Sequence, residues 1–199
     1  MDWFRELQTV QSTPLDTHNQ AKRDDDQRIQ ASLGQQILTP QDPLTEVRTT
    51  DNAWLLGSGD HGGLAIKAPN GSLIGVPGAV VKDTLATISA EGTLISGVTF
   101  QATTAQAASA ARLVDVLSGT VVFTNCRFEK TLGGTTDGDF VRIADGAKAV
   151  FIGCFFGPVQ TTGALCVNHL GTTATDVGLI GTSNKTGLAD ANVTVVFQV

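Results

Sequence analysis

Apolar and polar residues alternate in short runs through most of this chain, and the runs recur. Four segments show it: Thr93-Leu94-Ile95-Ser96-Gly97-Val98-Thr99-Phe100, Val121-Val122-Phe123-Thr124-Asn125-Cys126-Arg127-Phe128, Ala149-Val150-Phe151-Ile152-Gly153-Cys154-Phe155-Phe156 and Val177-Gly178-Leu179-Ile180-Gly181-Thr182-Ser183-Asn184. They align without gaps at successive steps of 28 residues. Ile95, Phe123, Phe151 and Leu179 share one column; Phe100, Phe128, Phe156 and Asn184 share another. Residues two apart on a strand lie on one face. Positions 93 and 95 therefore predict one face, and 98 and 100 the same face after an odd step. A flat strand does not keep its side chains on one side across an odd step, whereas a strand that turns a corner does.

The corner column is Gly97, Asn125, Gly153 and Gly181. Gly and Asn are the residues that tolerate a left-handed backbone, so one such residue between two short strands predicts a sharp bend. A further set of apolar runs, Leu85 to Ile88, Leu113 to Val116, Phe140 to Ile143 and Cys166 to Leu170, is followed by Gly92, Gly119, Gly146 and Gly171. Each period then holds about three strands and three turns, a unit too small to bury its own apolar face but able to do so when stacked on copies of itself.

These segments resemble the coils of the right-handed parallel β-helix, the pectin-lyase-like family, over about residues 53–199. The resemblance implies a mainly β fold, a short right-handed parallel β-helix of about four to five coils, roughly 20–25 Å tall at about 4.8 Å per strand. It also implies that Asn125 stands in an inward stack of turn residues. The fold hosts many activities, so the resemblance speaks to architecture and not to chemistry.

Residues 1–50 differ. They are rich in charge and Gln and hold a single glycine, Gly34. Trp3, Phe4, Leu7 and Val10 fall at helical spacing, and Pro14 ends that pattern. From Ala21 to Leu38, Ile29, Leu33 and Ile37 form one narrow stripe at i, i+4 and i+8, closed by Pro40 and Pro43. So thin a stripe does not hold a helix in water by itself and needs a partner surface. The expectation is a helical arm over 1–50 and a β domain over 51–199.

The strand parity also names residues that point outward. Leu94, Val122 and Val150 form an outer apolar column, and Phe155 lies outside after the bend, beside Arg127 on the neighbouring coil. An apolar column on a protein surface is usually covered, and copies of the same chain in cyclic symmetry are the simplest cover. The last strand carries Phe197, expected to meet its copies at a shared tip. Together these residues predict a homotrimer.

Composition narrows the choices. Of 199 residues, 13 are Lys or Arg and 19 are Asp or Glu, for a net charge of −6. Nucleic acid is not an expected partner, since phosphate contact calls for a basic face. No apolar run approaches the roughly 18 residues of a membrane helix, and the start lacks the layout of a signal peptide. Three cysteines are too few for a disulfide framework; Cys126 and Cys154 read as buried thiols. No metal or cofactor pattern appears: His18, His61 and His169 are scattered, and Asp24-Asp25-Asp26 reads as a solvated helix start. The glycine-rich Gly57 to Gly63 lacks the Lys-Ser/Thr of a phosphate loop.

Asp115, Arg142 and His169, at steps of 27, are expected to stack outward as an ion-pair ladder. Glycoside cleavage needs two carboxylates about 5–10 Å apart, and only the loop acids Glu129, Asp137 and Asp139 stand to join Asp115. No catalytic residue is assigned.

A helical arm ahead of a short β-helix resembles bacteriophage fibre, spike and head-fibre proteins. That resemblance implies a virion structural protein of tail-fibre or tailspike type. Trp3, Phe4, Leu7, Val10, Ile29, Leu33 and Ile37 would dock on other virion proteins while the trimer projects. A capsid head fibre or decoration protein is the alternative, as is a spike that binds or depolymerises host surface glycan.

Overall fold

The computed structural model describes residues 36–40, 53–67, 69–103, 112–130, 139–157, 165–173, 176–184, 188–189 and 194–198. Among these the chain is mainly β, with no α-helix. The strands come in a repeating order. After β1 (Gln36–Leu38), the first coil holds β2 (Ala53–Leu56), β3 (Gly59–His61) and β4 (Ala65–Ile66), and the second holds β5 (Ser72–Gly75), β6 (Ala79–Lys82) and β7 (Ala86–Ser89). Then follow β8 (Thr93–Ser96), β9 (Thr99–Ala102) and β10 (Val114–Ser118), and next β11 (Thr120–Thr124), β12 (Arg127–Lys130) and β13 (Val141–Ile143). The last strands are β14 (Lys148–Ile152), β15 (Phe155–Phe156), β16 (Leu165–His169), β17 (Val177–Asn184), β18 (Leu188–Ala189) and β19 (Thr194–Gln198).

Among the described residues every pairing is parallel, and from β2 to β14 each strand pairs with the strand three elements on; β1 pairs with β2, and β15, β16 and β17 pair with β17, β18 and β19. The result is three stacked sheets, as in a parallel β-helix. Sheet A runs β1-β2-β5-β8-β11-β14-β17, with β19 added on β17. Sheet B runs β4-β7-β10-β13-β16-β18. Sheet C runs β3-β6-β9-β12-β15 and ends on the second half of β17, which turns the corner as one continuous strand.

The four corner residues behave as the repeat predicts. Gly97, Asn125, Gly153 and Gly181 have φ of 68°, 51°, 60° and 56°. Gly97 N–H donates to Thr124 O, Asn125 N–H to Ile152 O and Gly153 N–H to Ile180 O, at 2.9–3.0 Å, so the coil-to-coil ladder passes unbroken through the bend. The column is not an inward stack, however. Asn125 is exposed, and its Oδ1 lies 2.8 Å from where a Cβ on Gly153 would stand. A left-handed residue at the outside of a bend directs its side chain away from the core.

Thr93, Ile95, Val98 and Phe100 are all buried, as the odd step across the corner requires. Inside the stack, Phe100, Phe128 and Phe156 lie face to face, with centroids 5.3 and 4.7 Å apart. Phe123 and Phe151 stack at 4.8 Å and meet the first column edge-on. Identical residues at identical register produce these columns, and offset or edge contacts between rings are favourable beyond the area they bury.

Two expectations for the arm change here. Ile37, read as the end of a helical stripe, lies in β1, where it pairs with Leu55. Three residues carry no period by which to tell strand from helix, and the pairing edge of β2 decides the matter. Strand pairing therefore starts inside the segment read as arm, ahead of residue 50. Trp3, Phe4, Leu7, Val10, Ile29 and Leu33 lie outside the described residues.

Candidate functional site

The three sheets present three chemically different outer surfaces. On sheet A, Leu94, Val122 and Val150 stand in register on β8, β11 and β14, each half-buried. The sequence reading missed the column two residues on: Leu55, Ile74, Ser96, Thr124, Ile152 and Ile180. Ile152 and Ile180 are 41% and 38% exposed. Phe197 follows Ile180 in the pairing register. This second column was legible in the alignment, but its polar members Ser96 and Thr124 masked it.

Phe155 does not belong to that surface. It lies on sheet C, where the Arg127 guanidinium sits 4.4 Å from its ring centroid. Arg127, 53% exposed, also pairs with Glu129. Two coils below, Lys82 Nζ donates to Asp60 Oδ2 at 2.6 Å, which lifts the lysine's proton affinity above its ordinary value. Exposed pairs of this kind contribute little to stability.

Sheet B carries the buried polar group. Asp115 is only 5% exposed. It accepts from Arg112 Nε at 2.7 Å, Arg112 Nη2 at 3.1 Å and Arg142 Nη2 at 2.8 Å. The expected ladder is therefore half right. Asp115 pairs in register with Arg142, but the next residue is Asn168 and not His169. The coil from β13 to β16 is one residue shorter than the coil from β10 to β13, since 168 − 142 is 26 against 142 − 115, which is 27. That single residue turns His169 to the buried side.

Asn168 Nδ2 donates to Asp139 Oδ2 at 2.5 Å, and Leu165 N–H donates to Asp139 Oδ1 at 2.8 Å. Of the four carboxylates named for sugar chemistry, Asp115 and Asp139 thus already accept hydrogen bonds from their own or the next coil; Glu129 pairs with Arg127 on sheet C, and Asp137 lies outside the described residues. Asp115 and Asp139 brace neighbouring coils. Lys130, which the sequence reading passed over, is buried; its Nζ donates to Asp139 O at 3.2 Å and lies 5.1 Å from the Phe140 centroid.

Substituting Asp115 by Ala leaves two guanidinium groups without their shared acceptor. Hydrogen bonds to charged groups contribute about 1.5–3 kcal/mol, discounted here because both arginines reach water. A loss of about 1–2 kcal/mol in denaturant unfolding is expected, against less than about 0.5 kcal/mol for Arg127→Ala at the exposed pair.

Cys126, Cys154 and Cys166 are buried and form no disulfide. The hydrogen bond to Cys154, together with burial, pushes the Cys126 thiol well above its usual range. It is an unreactive, uncharged core residue. Among the described residues no group of three or more His, Cys, Asp or Glu is placed to hold a metal ion, and no helix is long and apolar enough to cross a membrane. The chain matches no protein-family model, no curated protein and no solved structure.

Proposed function

We propose that this chain is a structural protein of a bacteriophage virion, a tail-fibre or tailspike-type homotrimer. In this reading, the segment ahead of β1 docks on the particle through Trp3, Phe4, Leu7, Val10, Ile29 and Leu33. The stacked sheets project from it. Aromatic anchors such as Trp3 and Phe4 are the residues expected to dominate such a contact. The observation that carries the reading is the partition of the surface. Sheet A shows in-register columns of Leu, Val and Ile, with an ion pair, Lys148 to Asp176, at the start of β14, while sheets C and B carry the pairs Arg127 to Glu129 and Arg142 to Asp115. A stack of similar coils with one largely apolar side suits a rigid, multi-copy element. The braced carboxylates of sheet B support a scaffold over a glycan depolymerase. A capsid head fibre or decoration protein is the same reading at another place on the particle.

The test is deletion of residues 1–35, which leaves β1 and its pairing intact. The shortened chain is expected to keep its β-rich circular dichroism spectrum and to be missing from assembled particles. Incorporation at the level of the full chain refutes the docking role.

A further inference from the structure

The ion pairs among the described residues set one cation against one anion, with one exception. Lys82 pairs with Asp60, Arg127 with Glu129 and Lys148 with Asp176. On sheet B, two guanidinium groups share the single carboxylate of Asp115. Lys130 and Asp139 stand beside this group, and the Lys130 ammonium, which donates to Asp139 O, offsets the Asp139 charge. One positive charge is left over, in a chain whose net charge is −6. Its neighbours in the outward column are neutral: Thr87 on β7 and Asn168 on β16.

We propose that Arg112 and Arg142, held by Asp115, form a binding site for a carboxylate group. The first argument is the supply of donors. A guanidinium carries five N–H groups. Arg112 uses two of them on Asp115 and Arg142 uses one, and no described residue accepts from the others. The two side chains are 20% and 33% exposed, so the open donors reach solvent. The second argument is spacing. Both Nη2 atoms donate to the same oxygen, Asp115 Oδ2, at 3.1 and 2.8 Å, so they lie within about 6 Å of each other. A carboxylate accepts from two donors so placed, and planar guanidinium groups suit its two oxygens.

Charge decides what kind of anion fits. Two cations at that separation repel. Asp115 offsets one of them, and one further negative charge offsets the other. A phosphate dianion overshoots that balance and is repelled by Asp139, which bonds Asn168 at the next position of the column. The Asp115 bonds also fix both arginines before a ligand arrives, so binding does not have to order them. Arg127, the remaining described arginine, is different: Glu129 balances its charge and its guanidinium lies over the Phe155 ring. The proposal goes beyond the projecting-scaffold reading and does not depend on it.

The experiment is an NMR titration of the full-length chain at pH 7 and constant ionic strength, with acetate, glucuronate and methyl acetate. The two acids are expected to bind one per chain with a Kd of about 1–10 mM, the range for a few charge-assisted bonds at a site open to water. Methyl acetate, which has no charge, is expected not to bind. Tighter binding of glucuronate than of acetate assigns the site to the acid group of a sugar; equal or weaker binding assigns it to a small free acid. Arg142→Gln is expected to weaken binding at least tenfold while the β-rich spectrum is kept, and Arg127→Gln to leave it unchanged. A readout without variants covers the case in which Arg142→Gln fails to fold. In the unmodified chain, the acids are expected to shift the Arg112 Nε–H and Asn168 side-chain amide signals, but not the side-chain amide of Gln101, outward on sheet C. The proposal is overturned by the lack of saturable binding of either acid below about 50 mM, by binding indifferent to Arg142→Gln, or by shifts confined to other sheets. Particle incorporation enters none of these measurements, so the carboxylate site and the virion reading fail or stand separately.

Discussion

Phe128→Ala is expected to lower the stability of the stack by about 3–5 kcal/mol, the range for truncating a buried Phe. The ring touches four others. It lies 4.7 Å from Phe156 and 5.3 Å from Phe100 in its own column, and 5.7 and 5.9 Å from Phe123 and Phe151 across the interior. It sits on the middle coil of its column, so neighbours on both sides lose contacts. In a stacked architecture, stability is close to a sum of interfaces between adjacent coils. Truncation in the middle weakens two such interfaces at once. For a domain of this size, a loss of that order lowers the thermal midpoint by roughly 10 °C. The comparison that checks it is Phe155→Ala, whose ring is half-buried beneath Arg127 and lies one residue away from Phe156. That variant is expected to stay within about 1 kcal/mol of the parent, since it loses one surface cation–π contact and little area. Equal losses for the two substitutions, measured by thermal or denaturant unfolding, would mean that the aromatic columns are not the core of the stack.

Gly119→Ala is expected to be comparably damaging, for a different reason. Gly119 has φ of 80°, between β10 and β11. A Cβ there would stand 2.3 Å from Ala90 O and 2.5 Å from Ala90 C, both backbone atoms of the coil below. No rotamer change relieves a backbone clash, so the coils must separate locally. Gly146 supplies the control. Its φ is 77°, yet nothing lies within 4 Å of the position its Cβ would take. Gly146→Ala therefore bears only the left-handed penalty of about 1–2 kcal/mol. Gly119→Ala bears that penalty plus displacement of the neighbouring coil, for a total of at least about 3 kcal/mol. The difference between the two variants measures how tightly successive coils are packed. Were the two to unfold at the same denaturant concentration, the close approach at Gly119 would be wrong.

Much of the fold could be read from the residues because the coils from residue 93 onward repeat without gaps. The register observed between β8, β11, β14 and β17 is the register of the alignment: Ile95 beside Phe123, Phe123 beside Phe151, Phe151 beside Leu179. The corner was visible because a positive φ admits few residue types, and Gly or Asn appeared at it four times. The earlier coils were harder to read. Their sheet A strands are 72 − 53, or 19, and then 94 − 72, or 22, residues apart, so no fixed period connects them to the rest. Strand β1 was harder still, because its three residues also fit the end of an apolar helical stripe.

The surface was legible only in part, and the reason is again loop length. The outward column Leu94, Val122, Val150 followed from parity alone. The Asp115 cluster did not. Arg112 precedes β10 and reaches forward to Asp115, and the register of β13 against β16 depends on a coil one residue shorter than its predecessor. Chain length between strands is not constrained by burial, so no alternation pattern reports it.

Taken alone, the residues determined the corner, the inward columns and the coil-to-coil register of the last coils. Each of these follows from a local rule: left-handed backbone at Gly or Asn, two-residue parity on a strand, apolar side chains inward. Tertiary structure decided which outward residues share a surface. It placed Phe155 with Arg127 on one sheet, Ile152 and Ile180 with Val122 and Val150 on another, and Asp115 between two arginines. The physical reason is that a surface is assembled from strands on different coils, and their lateral neighbours depend on where each intervening turn lets the chain return.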